Sequence, residues 1–422
     1  MFSLYKKRPA LAEVTILFGT HSGHSKYVAR QLAKLLDLKG VSHRVLNMKR
    51  FRAADLVQER CVLMVVSTHG DGEPPAGAMR FVTELSKVPE LSGLQYSVCA
   101  LGDSYYENFC ETGRYIDAVM MRLGARALVP RVDCDEEFEM PAARWIKEVA
   151  GVLSGSVAEE VSLVSQTRRY KARLTRQFRL NQPDSSKEVF HLEFESDLFP
   201  YLPGDSVGFI PSGFPNGRDQ QGRTPRYYSI ASSPLEVTNG FHLTVKTHEK
   251  GLCSPCLNHL LRPGDELEFI HLPSESFRLG HDHPAIILVA AGVGIAPFRA
   301  FIRHNAAQLN PVKIWLLYGD RNIETDYLYR DEWKALLEKG SIHRMDVAFS
   351  RNDPPQYVQD LLRINRKDVA QWVQSGTAVY VCGSKPMGAA VRGFFDDLSQ
   401  NLALGDKGVH DRAELAYYEE LF

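Results

Sequence analysis

Within the first 150 residues, short apolar runs alternate with helical patterns, and this alternation limits the possible fold more than any other feature of the chain. Val14 to Phe18 reads as a buried strand, followed by the turn GTHSGHS and an amphipathic helix from Lys26 to Leu38. SHRVLNM, CVLMVVST and YSVCALGD read as further strands, with helical segments between them. Strands this uniformly apolar are covered on both faces, so a doubly wound parallel sheet flanked by helices is expected. In such sheets ligands sit at the carboxyl ends of the strands.

The segments after those strand ends are therefore the first candidates for a site. After the first strand come Thr20, His21, Ser22, Gly23, His24 and Ser25, a hydroxyl- and glycine-rich turn opening a helix. Backbone N–H groups, hydroxyls and a helix N-terminus suit a monoester phosphate. The turn lacks the lysine of a nucleoside-triphosphate loop, which argues against ATP. After the third strand comes STHGDGEPP, with Thr68, His69, Gly70 and Gly72. After the fourth comes LGDSYYENF, with Leu101, Gly102, Asp103, Tyr106 and Phe109, and Asp133 lies further on. Glycines allow close backbone approach and Tyr106 offers a stacking face, so these loops are expected to grip a planar ring.

From Gly151 to Thr167 the sequence turns small and polar, which reads as a linker of residues 151–167 after a domain of residues 1–150. YKARLTRQF, VFHLEFE, DSVGFIP, FHLTVKTH and DELEFIH then follow, broken by Pro-Gly-Asp at 203–205 and again at 263–265. That spacing predicts a small antiparallel β-barrel over residues 168–281. Inside it lies RYYSIASS, Arg226 to Ser233. Arginine neutralises phosphate, tyrosine stacks on rings and serine can bond a ring nitrogen, so Arg226, Tyr227, Tyr228 and Ser229 suit a flat anionic ligand. The same composition also suits an ordinary strand with one wet face. Gly251, Leu252, Cys253 and Ser254 precede a short helical pattern and are placed to take a pyrophosphate. From Pro284 the strand–helix alternation returns, implying an α/β domain over residues 282–422. There IILVAAGVGIAPFRAFI sets Gly292, Gly294, Ile295, Ala296 and Pro297 at a strand-to-helix turn, as nucleotide sites do.

The 422 residues are 44% hydrophobic and 24% charged, with a formal net charge of -1, enough chain for two or three domains with cores of their own. Near-neutral charge without a basic, aromatic-interleaved run argues against nucleic acid as a partner. Seven scattered cysteines fit a reducing compartment. The one near pair, Cys253 and Cys256, has no second pair at metal-ligand spacing, so no metal is expected. MFSLYKKRPALAEV lacks the apolar core of a signal peptide, and Ala285 to Ile302 is interrupted by two glycines, a proline and an arginine. No membrane span and a cytoplasmic location are expected.

The three loops of the first half resemble, in order and spacing, a flavodoxin domain of the kind found in diflavin reductases, especially the sulfite reductase flavoproteins. WLLYGDR, DYLYRDEW, VAFSR and YVCGS in the second half are spaced as in the NADPH-binding half of ferredoxin–NADP reductases. The resemblance implies FMN in the first domain and FAD and NADPH in the second. By it, the turn from Thr20 to Ser25 holds the FMN phosphate and Tyr106 stacks on the ring, while His69 stands where the microsomal cytochrome reductases have an aromatic. Arg226, Tyr228 and Ser229 bind FAD, with Tyr228 on the ring and Ser229 near its N5, and Gly251 to Ser254 approach its pyrophosphate. Gly292, Gly294, Ile295, Ala296 and Pro297 line the NADPH pyrophosphate turn. Ser350 and Arg351 grip the 2′-phosphate, with Arg321 and Tyr357 nearby, and favour NADPH because a dianionic monoester needs compensation. Pro354, Pro355 and Gln356 stand where the family often has a lysine, which implies a weaker preference. Cys382 flanks the nicotinamide, Glu420 lies near the reacting ring and Phe422 covers the flavin as a lid. Read without the resemblance, Cys382 is a strand cysteine and LAYYEELF an exposed amphipathic helix.

The implied activity passes hydride from NADPH to FAD, then single electrons to FMN and on to a haem or iron–sulfur protein, such as a sirohaem partner. Asp71, Glu73, Asp103, Glu107, Asp133, Asp135, Glu136, Glu137 and Glu139 crowd the same edge as a docking face, or else as a solvated rim. Two other readings fit the sequence: an FAD-centred ferric or quinone reductase with the first domain as docking module, and a flavin-binding sensor without turnover. In the family a helical connecting domain separates the Pro-Gly-Asp strand from the RYYS strand. Here only SGFPNGRDQQGRTP lies between Pro211 and Arg226. No such insert fits, so a compact reductase is expected, with a mobile FMN domain or a different domain interface.

Overall fold

The computed structural model describes residues 14–20, 23–69, 72–104, 107–135, 138–155, 169–197, 199–210, 225–274, 277–280, 282–405 and 415–422. The chain divides into two compact units, Met1–Gln166 and Thr167–Phe422.

In the first unit β1 (Val14–Gly19), α1 (His24–Leu38), β2 (His43–Asn47), β3 (Cys61–Ser67), α2 (Met79–Leu85), β4 (Gln95–Leu101), α3 (Glu111–Arg122), β5 (Arg126–Ala127), β6 (Val132–Cys134) and α4 (Glu139–Ser154) follow in order. The strands pair in parallel as β2-β1-β3-β4-β5, with β6 also on β4. Every residue of β1 and β3 is buried. Val14, Ile16 and Phe18 pack with residues of α1 and α4, while Leu17, Met64 and Val66 pack with residues of α2 and α3 on the other face. Apolar side chains on both faces of each strand are what this two-sided cover requires. Helix α4 runs through Ser154, so the expected linker starts later than residue 151, and residues 156–168 lie outside those described.

The second unit opens with β7 (Arg169–Arg179), β8 (Val189–Glu195), β9 (Ser206–Phe209), β10 (Arg226–Ser229), β11 (Gly240–Lys246), α5 (Cys253–Pro255) and β12 (Glu266–Leu272). The strands form an antiparallel sheet in the order β10-β9-β12-β7-β8-β11. Where a barrel was expected, the outer strands meet through one isolated bridge, Ile230 to Leu243. The core of this sheet is aromatic: Phe194 and Phe241 stack at 5.2 Å, and Phe241 lies 4.9 Å from Phe269.

β13 (Ala285–Ala291), α6 (Ile295–Ala306), β14 (Lys313–Asp320), α7 (Arg330–Glu338), β15 (Arg344–Phe349), α8 (Val358–Ile364), α9 (Arg366–Gln374), β16 (Ala378–Gly383), α10 (Lys385–Gly405) and β17 (Tyr417–Leu421) complete the chain. They build a parallel sheet in the order β15-β14-β13-β16-β17. The last segment is a strand and not the helix its sequence also allows. Tyr418 joins one core and Tyr417 and Leu421 the other, the period-two alternation of a strand. No helix among the described residues is long and apolar enough to cross a membrane.

Candidate functional site

In the first unit the loops after β1, β3 and β4 gather at the carboxyl edge of the sheet. Thr20 Oγ1 accepts from Gly23 N at 2.8 Å, and Gly23 takes a left-handed conformation (φ 88°) to open α1. Ser25, in the first turn of that 15-residue helix, is fully buried, and its Oγ has no hydrogen-bond partner among the described residues. An unpaired buried hydroxyl costs about 1–3 kcal/mol, so a ligand oxygen at this helix start would satisfy it. His24 packs on Phe138, with ring centroids 4.9 Å apart. Burial lowers its pKa, against the opposing pull of Glu139, so the ring there is neutral.

Thr68 Oγ1 accepts from Thr112 N at 3.2 Å, which spends one of its lone pairs on the start of α3. His69 and Glu73 form a bridge, with His69 N donating to Glu73 O at 2.8 Å. Thr112 Oγ1 reaches Gly72 O at 3.5 Å, and Gly102 N donates to Cys134 O at 2.9 Å. The two loops are thus tied to one helix and one sheet edge. Leu101 is buried, Asp103 half-buried, and the half-buried Phe109 lies under Arg114 at 5.9 Å. Asp133 is bound up with Arg131 at 2.7 Å and Arg114 at 3.5 Å, so it adds no net negative charge to the edge. His21, Ser22, Gly70, Asp71, Tyr106, Glu136 and Glu137 lie outside the described residues.

In the second unit three strands bring Ser229, Cys382 and Glu420 together. Cys382 on β16 and Glu420 on β17 are register partners. Ser229 Oγ, at the end of β10, donates to Glu420 Oε1 at 3.3 Å. Glu420 Oε2 is buried with no partner among the described residues. Burial pushes the Glu420 carboxyl up to about 7, against the opposing hydrogen bond from Ser229. Burial first, and the Glu420 charge second, push the Cys382 thiol well above its usual range. Phe422 is 61% exposed, and its N donates to Gly383 O at 3.1 Å.

Along β10, Arg226 and Tyr228 share one face and Tyr227 and Ser229 the other. Tyr228 is half-buried 6.1 Å from Phe209, whereas Tyr227 is exposed. Beyond Gly251 and Leu252 the expected helix is only the three residues of α5, continued as a π-helix over Cys256–Leu260. So short a helix has little dipole, and an anion here would rely on individual N–H groups. Ser254 Oγ accepts from His248 N at 3.0 Å, and Cys253 Sγ donates to Phe209 O at 3.3 Å, its thiol pushed up to about 12 by burial.

The turn before α6 explains its glycines. A Cβ at Gly294 would stand 2.2 Å from Cys382 O, so the turn touches the end of β16 only because side chains are absent. Gly292 has φ 56° and open space where a Cβ would point. Ile295 and Ala296 are buried, and Pro297 lies in the first turn of α6, which needs no N–H from it. Ser350 N donates to Asp320 O at 3.0 Å and Arg351 N to Arg321 O at 2.8 Å, so the ends of β14 and β15 are clamped side by side. Tyr357 is exposed and caps α8.

Two lysines that no motif singled out stand close to that clamp. Lys187 forms a buried ion pair with Asp320, and Lys246 ends β11. Neither lies in a pattern that local sequence could flag. Elsewhere, His191, Glu193 and His242 hold potential metal-ligating atoms within 4.8 Å of one another. Their polar atoms are already engaged in part: His191 Nδ1 with the Tyr329 hydroxyl at 2.8 Å, and Glu193 with Arg176 at 3.3 Å. Arg299, whose charge helps depress both imidazoles, would repel a cation as well.

Comparison with known proteins agrees with this architecture. A family described as Flavodoxin matches residues 16–145, and one described as Oxidoreductase NAD-binding domain matches residues 288–393. The chain is 30% identical over 500 aligned positions to the sulfite reductase [NADPH] flavoprotein alpha-component of Bacillus subtilis, covering 89% of this chain and 83% of that protein. The same-named proteins of Vibrio parahaemolyticus and of Shewanella sp. strain ANA-3 are each 30% identical, over 89% of this chain and 80% and 83% of their own lengths. The 500 aligned positions exceed the 422 residues of the chain, so the Bacillus relative carries segments that this chain lacks. Two parallel sheets and an intervening antiparallel one, matched over nine-tenths of the chain, place it among the NADPH-dependent diflavin reductases, the family of the sulfite reductase flavoprotein alpha-components.

Proposed function

We propose that this chain moves electrons from NADPH through FAD to FMN and on to a one-electron acceptor, a haemoprotein of sulfite reductase being the acceptor class that its relatives' name suggests. The observation that carries the reading is the meeting of Ser229, Cys382 and Glu420, with a buried carboxyl oxygen that has no partner among the described residues. When bound, NADPH supplies a hydride and the flavins deliver its two electrons one at a time.

The residues fit those groups. The buried Ser25 hydroxyl, with the Thr20–Ser25 turn, suits the FMN phosphate. The loops carrying Thr68, His69, Gly72, Leu101, Gly102, Asp103 and Phe109 would frame its ring, together with Tyr106. Arg226, Tyr228 and Ser229 would hold FAD, with Gly251 to Ser254 at its pyrophosphate and the exposed Tyr227 at the rim. The open space at Gly292 suits the NADPH pyrophosphate above Gly294, Ile295, Ala296 and Pro297. Ser350, Arg351, Arg321 and Tyr357 would take the 2′-phosphate. Ser229 orients Glu420 by its hydrogen bond, and a carboxyl with a pKa near 7 can hold or release a proton at Oε2 at neutral pH. Cys382 stays protonated and closes one side of the reacting position. Phe422, exposed at the same edge, would shield it until nicotinamide enters.

The acceptor would dock on the acidic edge of the first unit. That edge is narrower than its count of carboxylates, because Asp133 is neutralised by two arginines. Seven cysteines without a disulfide suit the cytoplasm. The test is sequential: NADPH should bleach the flavin absorbance, and FMN removal should abolish haemoprotein reduction while FAD still bleaches. Haemoprotein reduction that survives FMN removal would refute this electron route.

A further inference from the structure

The antiparallel sheet contributes cations to the nucleotide site of the parallel one. In the β8–β11 pair Lys246 lies opposite Val189, and Thr247 N donates to Glu188 O at 2.9 Å, so Lys187 and Lys246 leave the sheet at the same end. Lys187 Nζ pairs with Asp320, and Arg321 Nη1 donates to Ser186 Oγ at 2.8 Å. Arg321 is in turn bonded through its carbonyl to Arg351 N. Lys187 and Arg321 are thus bonded at the end of β14, which the clamp joins to Ser350 and Arg351, and Lys246 lies near enough for the charges of Arg321, Lys187 and Asp320 to act on it.

The negative charge there is insufficient. Asp320 also accepts from Tyr318 OH at 2.9 Å and Arg321 N at 2.7 Å, so it is fully engaged. Asp326, the next carboxylate, is held by Ser185, Asn322 and Thr325. The half-buried Lys246 amine forms no hydrogen bond or ion pair with another described residue. Burial, Arg321 and Lys187 all lower its pKa, while Asp320 alone opposes them. Excess like charge at a partly desolvated position is unfavourable until an anion enters.

We infer that Lys246 is a specificity-determining residue for the 2′-phosphate of NADPH, supplying from the antiparallel sheet the cation that Pro354, Pro355 and Gln356 do not supply. This rests on the reading of Ser350 and Arg351 as the 2′-phosphate grip. Such a lysine would offset the weaker NADPH preference expected from the sequence, because its charge would arrive from a strand more than a hundred residues earlier.

The test is calorimetric titration of the flavin-loaded protein with 2′,5′-ADP and with 5′-AMP, which lacks only the 2′-phosphate. Lys246→Met should weaken 2′,5′-ADP binding about ten- to a hundredfold, as loss of a charge-assisted contact does, with 5′-AMP affinity unchanged. Lys246→Arg should retain the discrimination, and equal flavin content in both variants guards against misfolding. Unchanged discrimination in Lys246→Met overturns the inference. If Arg351→Ala loses discrimination while Lys246→Met keeps it, the NADPH-site reading stands and only Lys246 is excluded. If the wild-type protein shows no preference for 2′,5′-ADP, the NADPH-site reading fails and the inference falls with it.

Discussion

Cys382 and Glu420 sit side by side on adjacent parallel strands, and the carboxyl has a hydroxyl from a third strand at one oxygen and no partner among the described residues at the other. Burial without a cationic partner holds the proton on a carboxylic acid, which is why this group titrates near neutrality.

That shift sets a pH dependence of stability. Between about 4.5 and 7 the folded chain keeps a proton on Glu420 that the unfolded chain has lost, so stability falls as pH rises through this window. The stabilisation is fully present below 4.5 and gone above 7. Glu420→Gln should remove this pH dependence, so that the variant gains up to about 3 kcal/mol on wild type between pH 4 and pH 8. Thermal melts of both proteins at the two pH values check the sign, and a constant difference would rule out the raised pKa.

Ser229→Ala should slow flavin reduction by NADPH about tenfold to a hundredfold through loss of orientation. Its hydrogen bond opposes the burial shift, so without it the Glu420 pKa should climb further. In the pH profile of flavin reduction the midpoint near 7 should move upward. A purely structural role would lower the rate without moving the midpoint.

Ser25→Ala separates binding from stability. The flavin-free protein should melt at the same temperature or higher, because an unpaired buried hydroxyl is lost. FMN affinity should drop by about 1–2 kcal/mol, roughly tenfold, by loss of one phosphate contact. Undiminished FMN binding would remove Ser25 from the phosphate site.

Arg351→Ala should raise KM for NADPH at least about tenfold while leaving KM for NADH nearly unchanged, since only NADPH carries the dianionic group. Steady-state kinetics with both nucleotides suffice, and equal wild-type constants would already contradict the grip.

Deleting Phe422 should change the NADPH/NADH selectivity if it is the proposed lid, because the residue is exposed and its backbone N–H ties it to Gly383 at the end of β16. Identical kinetics would show that Phe422 is no lid.

The parallel sheets, the strand-end turns and the strand at RYYS were legible from local pattern, because each rests on periodicity or on turn residues with narrow backbone demands. Apart from the resemblance, the chain's last segment suited an amphipathic helix, since YYEEL does not alternate apolar with polar residues. β16 made it a strand by offering a free edge. Tertiary structure alone placed Ser229 against Glu420, 191 residues apart, and Lys187 against Asp320, 133 residues apart. It also left Ser25 without a hydrogen-bond partner among the described residues, and Asp133 neutralised. Charge, burial and hydrogen-bond satisfaction depend on what the rest of the chain brings close, and no local pattern encodes that.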